Sequence, residues 1–303
     1  MPPPSENPFY QHTIAITELV EKIKKDAGKY DIIHNHVYPE FLPLLVSNEI
    51  NTPILTTPHL YMWPKLVEIF KKFQNTYFVA ISNYQREKGK GINFVDTVYN
   101  GIDVEEFKFS NTPKDYYLFF GRIKRFKNEK GEAVEAKGVL DAIKVCKVAN
   151  VKLMIAGNVE DKDFFEEEIR PQLDENITFI GPVDASGPIG FEQKVELYKN
   201  ALGYFFLSHW DEGCPLSPLE AMACGTPVIA NRRSSLPEEI IDGKTGFIVE
   251  ENDINGTVMA VKNIEKINRL DCRKHVEENF SAKKMAEGYE MVYNKILANR
   301  TKN

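Results

Sequence analysis

The stretch Asp211-Glu212-Gly213-Cys214-Pro215-Leu216-Ser217-Pro218-Leu219-Glu220-Ala221-Met222-Ala223-Cys224-Gly225-Thr226-Pro227 joins two short apolar runs, at residues 201–207 and 227–230. Its second half has the composition of a helix, so the order is strand, loop, helix, strand. That order is typical of a βαβ unit in a parallel sheet. A loop that enters a helix presents unpaired backbone N–H groups and the positive end of the helix dipole, which together favour phosphate binding.

The same alternation extends on both sides of this stretch. We predict strands at 116–120, 152–156, 177–180, 201–207, 227–230 and 245–249, with helices at 138–148, 164–173, 194–200, 218–224 and 236–241. Six strands alternating with helices indicate a doubly wound α/β domain, whose ligands bind beyond the carboxyl ends of the strands. Helical patterns at 253–267, 271–278 and 282–297 close the chain.

The N-terminal part repeats the pattern on a smaller scale. A helix is predicted at 14–27, strands at 30–34, 53–57, 77–81 and 97–99, and helices at 40–47 and 64–73. A polar, proline-containing stretch at 108–114 follows them. We therefore predict a shortened N-terminal domain at 1–110, a second domain at 111–281, and a final helix at 282–303 that crosses back to the first domain. The basic stretch 123–136 is expected to be a mobile surface loop.

Composition excludes several classes of protein. The chain has 303 residues, 43% of them hydrophobic, and a formal charge of -6, which argues against a general nucleic-acid binder. Its four cysteines form no CxxC pair, so a disulfide scaffold or zinc framework is not expected. We expect a cytoplasmic protein, because neither a signal peptide nor an apolar run of about 20 residues is visible. The basic amphipathic stretch 61–73 leaves peripheral membrane attachment open, the alternative being a helix packed on the N-terminal sheet.

Ser217-Pro218-Leu219-Glu220 has two readings. It is a good capping box, with Ser217 at the N-cap, Pro218 at the first helical position and Glu220 reaching back to the cap. The alternative is that Glu220 binds a ligand, and both roles together are compatible.

Glu212 and Glu220, with the run EAMACGTPV at 220–228, resemble the E-x7-E signature of retaining GT-B glycosyltransferases of family 4, the glycosyl transferases group 1. Further matches to that family follow in order at 30–34 (YDIIH), 56–59 (TTPH), 98–103 (VYNGID), 120–123 (FGRI), 155–157 (IAG), 179–181 (FIG) and 243–247 (GKTGF), then Phe280-Ser281 with Met285 and Tyr289. The resemblance implies the GT-B fold, α/β with two Rossmann-like doubly wound domains facing a central cleft, the N-terminal one incomplete.

The resemblance also implies roles for single residues. Glu212 would contact hydroxyls of the donor sugar, and Glu220 the hydroxyls of the ribose. Backbone amides of Gly213, Cys214 and Leu216 would meet the distal phosphate. The family commonly has Phe-Gly after Glu-Gly, whereas this chain has Cys214-Pro215, and Pro215 lacks an N–H group. The phosphate site is therefore expected to have fewer backbone N–H donors than is usual in the family.

Cations and strand ends complete the implied site. Arg122, after Gly121, and a lysine would neutralise the diphosphate; we favour Lys137, with Lys130 as the competitor. His59 would donate a hydrogen bond to the sugar, and His34 or His36 could line the acceptor side. Backbone near three residues would contact the base: Gly157, Ile180 and Val183.

The function implied is transfer of a hexose, with retention, from a UDP-, GDP- or ADP-sugar to an acceptor hydroxyl, without a metal or other cofactor. The acceptor would be a sugar, lipid or small molecule, and no nucleic acid is involved. The family's first strand and glycine-rich loop have no counterpart here, so a partner or second copy could cover that part. The alternatives are a nucleotide-sugar-binding module, or partner-dependent subunit, without activity of its own, and a sugar-nucleotide epimerase.

Overall fold

A computed structural model describes residues 7–127, 131–182 and 189–300. The chain divides into two compact units: residues up to Tyr99 together with those from Ala286 onward, and Asn100–Met285. The boundaries predicted from the sequence lie at residues 110 and 281. In the described ranges, no helix combines the length and the apolar character that crossing a bilayer requires.

The first unit is built on a small parallel sheet. Its strands are β1 (Ile33–Asn35), β2 (Ile54–Thr56), β3 (Tyr77–Ala80) and β4 (Phe94–Thr97), and its helices include α1 (Pro8–Asp26), α2 (Pro64–Phe70) and α3 (Asn83–Lys88). Short 3-10 turns occupy Ala27–Lys29 and Pro43–Val46. The strands pair in parallel, as predicted, and their order is β1-β2-β3-β4. Buried side chains such as Leu44, Phe70 and Phe78 form its core.

Two predictions for this unit were wrong in detail. The strand predicted at 97–99 lies at Phe94–Thr97, and the helix α3 that precedes it was not predicted. The helix predicted at 40–47 is only the 3-10 turn Pro43–Val46. Proline has no N–H group to donate, so it begins the turn there and cannot lie inside a longer α-helix.

The second unit alternates strands and helices. Its strands are β5 (Tyr116–Phe120), β6 (Arg125–Lys127), β7 (Ala133–Glu135), β8 (Lys152–Ala156), β9 (Ile177–Gly181), β10 (Gly203–Phe206), β11 (Val228–Asn231) and β12 (Gly246–Val249). Its helices are α4 (Val139–Ala149), α5 (Lys162–Phe164), α6 (Phe191–Asn200), α7 (Leu216–Ala223), α8 (Leu236–Glu239), α9 (Ile254–Asn263) and α10 (Arg269–Asn279), and α11 (Ala282–Arg300) begins in this unit. Short turns of 3-10 or π type occupy Val104–Glu106, Phe165–Ile169, Arg170–Gln172 and Ile264–Lys266.

The main sheet of this unit has the order β12-β11-β10-β5-β8-β9, and every pairing is parallel. The predicted doubly wound domain is thus confirmed. The chain moves outward from β5 in one direction and later returns to start the other half at β10. Between β5 and β10 the order reverses, and such a switch point opens a crevice at the carboxyl ends of the strands. The segments after β5 and β10 are therefore where a ligand site is expected.

Two predictions for the second unit need correction. The stretch 123–136, predicted to be an irregular mobile loop, includes the antiparallel pair β6–β7, with Phe126 opposite Val134. Phe126 also packs edge-on against Trp210, with ring centres 4.9 Å apart. The helix predicted at 164–173 is broken into the short turns that follow α5, because Pro171 cannot continue an α-helix.

Candidate functional site

The Glu212 loop, residues 211–216, connects the end of β10 to α7, and Lys137 lies against it. The Lys137 ammonium contacts the Glu212 carboxylate, and the two side chains are 15% and 21% exposed. Gly138 has φ +78°, and a Cβ there would lie 2.2 Å from the carbonyl oxygen of Leu207. Only glycine lets this turn pack so closely on the end of β10, which brings Lys137 beside the loop.

A second ion pair lies on the helix side of the loop. Lys194 Nζ on α6 is 2.9 Å from Glu220 Oε1 on α7, with side chains 16% and 13% exposed. The rings of Phe107 and Phe191 flank the ammonium at 5.7 and 5.2 Å from their centres. Sequence reasoning missed Lys194, because no local motif marks it. Only the packing of α6 on α7 places it beside Glu220.

The predicted capping box is wrong. Helix α7 begins at Leu216, its N-cap is Pro215, and no side chain caps it. Ser217 is therefore already helical, and its hydroxyl accepts a hydrogen bond from the Tyr204 hydroxyl at 3.1 Å. Glu220 does not reach back to the cap, since its carboxylate faces Lys194.

The start of α7 offers backbone donors. The hydrogen bonds of the described residues leave the N–H groups of Cys214 and Leu216 without an acceptor. The Cys214 carbonyl is held by the Asn100 side-chain amide at 2.9 Å, and burial raises the pKa of the Cys214 thiol far above its usual range. Two free amides at a helix N-terminus can bind an anionic oxygen.

Glycines bring the neighbouring strand ends close together. Gly157, after β8, has φ +148°, and a Cβ there would lie 1.8 Å from the carbonyl oxygen of Gly121. The Gly157 N–H also donates to the Gly181 carbonyl at 3.0 Å. Gly121, Gly157 and Ile180 therefore lie at the carboxyl ends of three adjacent strands, β5, β8 and β9. Val183 and Lys130 lie outside the described residues.

Arg122 follows β5 and is the most accessible of the predicted charged residues. Its side chain is 58% exposed, and Nη1 lies 3.7 Å from Glu160, which also pairs with Lys124 at 2.9 Å. Exposed ion pairs of this kind contribute little to stability. The guanidinium can therefore exchange Glu160 for an anionic ligand at small cost.

His59 belongs to the first unit and forms a pair with another histidine. His36 Nδ1 and His59 Nε2 are 2.9 Å apart, and His34 stacks on His36 with ring centres 4.0 Å apart. Burial lowers the pKa of His34 to about 3 and also lowers the pKa of His36 and His59. All three rings are neutral at neutral pH, and a neutral imidazole donates through one nitrogen only.

Comparisons with known proteins agree with this geometry. The family model of glycosyl transferases group 1 matches residues 103–282. An uncharacterized glycosyltransferase of Methanocaldococcus jannaschii is 26% identical over 76% of this chain and 60% of its own length. The capsular polysaccharide biosynthesis glycosyltransferase CapM of Staphylococcus aureus is 28% identical over 65% of this chain. The chain spans only 60% and 53% of the lengths of these two relatives.

Solved structures show the same fold. A glycosyltransferase of Rickettsia africae aligns with a TM-score of 0.73 at 20% identity, covering 99% of this chain and 84% of its own. Anabaena Alr3699/HepE in complex with UDP aligns with a TM-score of 0.72 at 16% identity, covering 94% and 82%. The mixed α/β fold with parallel sheets is that of GT-B glycosyltransferases. Since the family model matches more than half of the sequence, this chain belongs to the glycosyl transferases group 1.

Proposed function

We propose that this chain is a retaining glycosyltransferase that moves a hexose from a nucleoside-diphosphate sugar to an acceptor hydroxyl. The observation that carries the proposal is the pair of lysine–glutamate contacts, Lys137 with Glu212 and Lys194 with Glu220, on either side of the free amides that begin α7. The loop lies next to the switch point of the six-stranded sheet, where doubly wound folds bind their ligands.

Each group has a chemical task in this proposal. Glu220 accepts hydrogen bonds from the ribose, and Glu212 from hydroxyls of the transferred sugar. The amides of Gly213, Cys214 and Leu216 bind the distal phosphate, and backbone near Gly157 and Ile180 contacts the base.

The leaving group determines what the cations do. When the nucleoside diphosphate departs, negative charge builds on its distal phosphate. In this proposal Lys137, Arg122 and the α7 N-terminus stabilise charge of that sign, which is the usual way in which fixed donors accelerate such a step. We therefore propose that no metal ion or other cofactor is required. Lys137 exchanges part of its contact with Glu212 for the phosphate when the donor binds.

His59 is the neutral hydrogen-bond donor in this proposal. His59 gives a hydrogen bond to the sugar, and partial desolvation of its ring lowers its pKa, which favours the neutral form. The acceptor is a sugar, lipid or small molecule with a free hydroxyl. Retention is proposed from the resemblance to the E-x7-E family alone.

The experiment is a turnover assay with UDP-, GDP- and ADP-glucose in EDTA, with and without an acceptor panel. UDP-glucose is tried first, because HepE was solved with UDP and with UDP-glucose. Glu212→Ala and Arg122→Ala should each lower turnover at least about 100-fold. Glu166→Ala and Arg170→Ala, which remove an exposed surface pair, serve as matched controls.

Product analysis decides the rest. Retention of the donor's anomeric configuration, read by NMR, supports the mechanism, and inversion refutes it. Turnover that appears only after a divalent cation is restored would refute metal independence. Tight binding of a nucleotide sugar without turnover for any donor would contradict the proposed activity.

A further inference from the structure

Ser234 has an unusual backbone conformation at the turn between β11 and α8. Its φ is +54°, in the left-handed region that residues with a Cβ rarely occupy. Such strain persists only where the surroundings enforce it, and it tends to collect at functional sites. The contacts of the side chain show what holds it there.

Both hydrogen bonds of the Ser234 hydroxyl go to the Glu212 loop. The hydroxyl accepts from the backbone N–H of Glu212 at 3.1 Å and donates to Asp211 Oδ1 at 3.1 Å. The neighbouring Arg233 places Nε 2.8 Å from the same oxygen of Asp211. The turn therefore holds the backbone at the residue whose carboxylate contacts Lys137.

Ser235, the next residue, attaches the turn to the buried core. The Ser235 hydroxyl donates to Glu239 Oε1 at 2.7 Å, and Glu239 is fully buried. Burial raises the pKa of Glu239 well above its usual range. Because the base of the turn is fixed in the core, Ser234 has little freedom to relax from its left-handed conformation.

We infer that Ser234 is a positioning residue for Glu212, one that fixes the carboxylate where it meets the transferred sugar. This inference rests on the proposed function. The strained conformation is what aims the hydroxyl at the Glu212 N–H, so removing the hydroxyl should affect sugar binding even where the fold becomes more stable. Misplacement of a reacting group by about 1 Å can cost up to about 100-fold in rate.

Three substitutions of Ser234 distinguish the effect of its backbone strain on stability from the effect of its hydroxyl on sugar binding. Ser234→Gly relieves the strain and removes the hydroxyl, Ser234→Ala removes the hydroxyl alone, and Ser234→Asn keeps a side-chain oxygen in a residue that tolerates the left-handed region. Asn150→Gly is the matched control, since Asn150 also has positive φ, at +55°, but lies at the far end of α4. We expect Ser234→Gly to unfold at the same or a higher temperature than wild type, and Ser234→Ala at a lower one.

The functional readout is calorimetric binding of UDP and UDP-glucose, with the GDP and ADP pairs in parallel. For the pair that binds best, Ser234→Gly and Ser234→Ala should weaken sugar-nucleotide binding about tenfold while leaving the affinity for the free nucleotide unchanged. Ser234→Asn should recover part of the loss, and Asn150→Gly should change neither affinity.

Equal effects on both ligands, or none, would overturn the inference, because a merely structural Ser234 would not single out the sugar. Absence of turnover by the wild-type chain, with the affinity difference preserved, would overturn the proposed activity and leave the positioning role standing.

Discussion

The ammonium of Lys137 contacts the carboxylate of Glu212, although the two residues are 75 positions apart in the chain. Lys137 comes from the turn before α4, and Glu212 from the loop after β10. The pair joins a cation proposed for the diphosphate to a carboxylate proposed for the sugar. Both groups are mostly shielded from water. Truncating either side chain therefore leaves the other as a partly buried charge without its counter-ion.

Lys137→Met should lower kcat/KM about 100-fold or more, because it removes a fixed cation from the departing diphosphate. Lys147→Met, on the exposed side of α4, the helix that follows Lys137, is the control and should have no effect. The assay is turnover of the preferred sugar nucleotide. If Lys130→Met is the damaging substitution and Lys137→Met is not, the assignment of the phosphate lysine is wrong.

Lys194→Met should weaken binding of a nucleoside diphosphate about tenfold, since the partly buried Glu220 is left without its counter-ion and loses its fixed orientation. Lys199→Met, on the same helix α6 but paired with the exposed Glu196, provides the comparison. Calorimetry with UDP and GDP measures the effect. An unchanged affinity for the nucleoside diphosphate in Lys194→Met would contradict the proposed contact between Glu220 and the ribose.

The fold could largely be predicted because each strand of the second unit is a short apolar run between polar turns. Strands of a parallel sheet are buried on both faces, so their sequence pattern is strong. The positions of the ligand-binding loops could also be predicted, because such loops follow the carboxyl ends of the strands. The Glu212 loop was found in this way, whereas Gly121 and Gly157 were identified from the resemblance to the family's motifs.

What escaped prediction depends on contacts between distant segments. Lys194 looks like any helical lysine until α6 packs on α7. The capping box of Ser217 and Glu220 satisfied the local rule, but Tyr204 and Lys194 bind those two side chains instead. Tertiary partners therefore overrode local capping. The β6–β7 pair was missed because its charged residues mask the alternation expected of strands.

Gly157→Ala should lower the free energy of unfolding by about 3 kcal/mol or more, because the new Cβ would overlap the Gly121 carbonyl. Gly243→Ala is the control for the cost of placing a side chain at positive φ. Gly243 also has positive φ, but the space around it is open, so the new Cβ would meet no other atom. This substitution should cost only about 1 kcal/mol. Denaturation of both variants measures the difference, and equal losses would refute the close approach of the two strand ends.

Glu135 should make stability depend on pH. Burial raises the pKa of its carboxyl from 4.5 to about 7, with Asp141 adding to the rise. A raised acid pKa means that the fold prefers the protonated form, so this stability is full below pH 4.5 and is lost as pH approaches 7. His209 acts in the same direction, because its hydrogen bond to Asp141 raises its pKa above 6.5.

Glu135→Gln removes the titrating group and keeps an oxygen that can accept from the Leu140 N–H, which lies 3.1 Å from the Glu135 carboxylate. Relative to wild type, it should gain up to about 3 kcal/mol in free energy of unfolding between pH 5 and pH 8. Part of that gain is offset because His209 loses a carboxylate 4.0 Å away. Urea denaturation at several pH values measures the curves, with the exposed Glu250→Gln as control. Parallel curves for wild type and Glu135→Gln would mean that Glu135 is ionised in the fold as readily as in the unfolded chain.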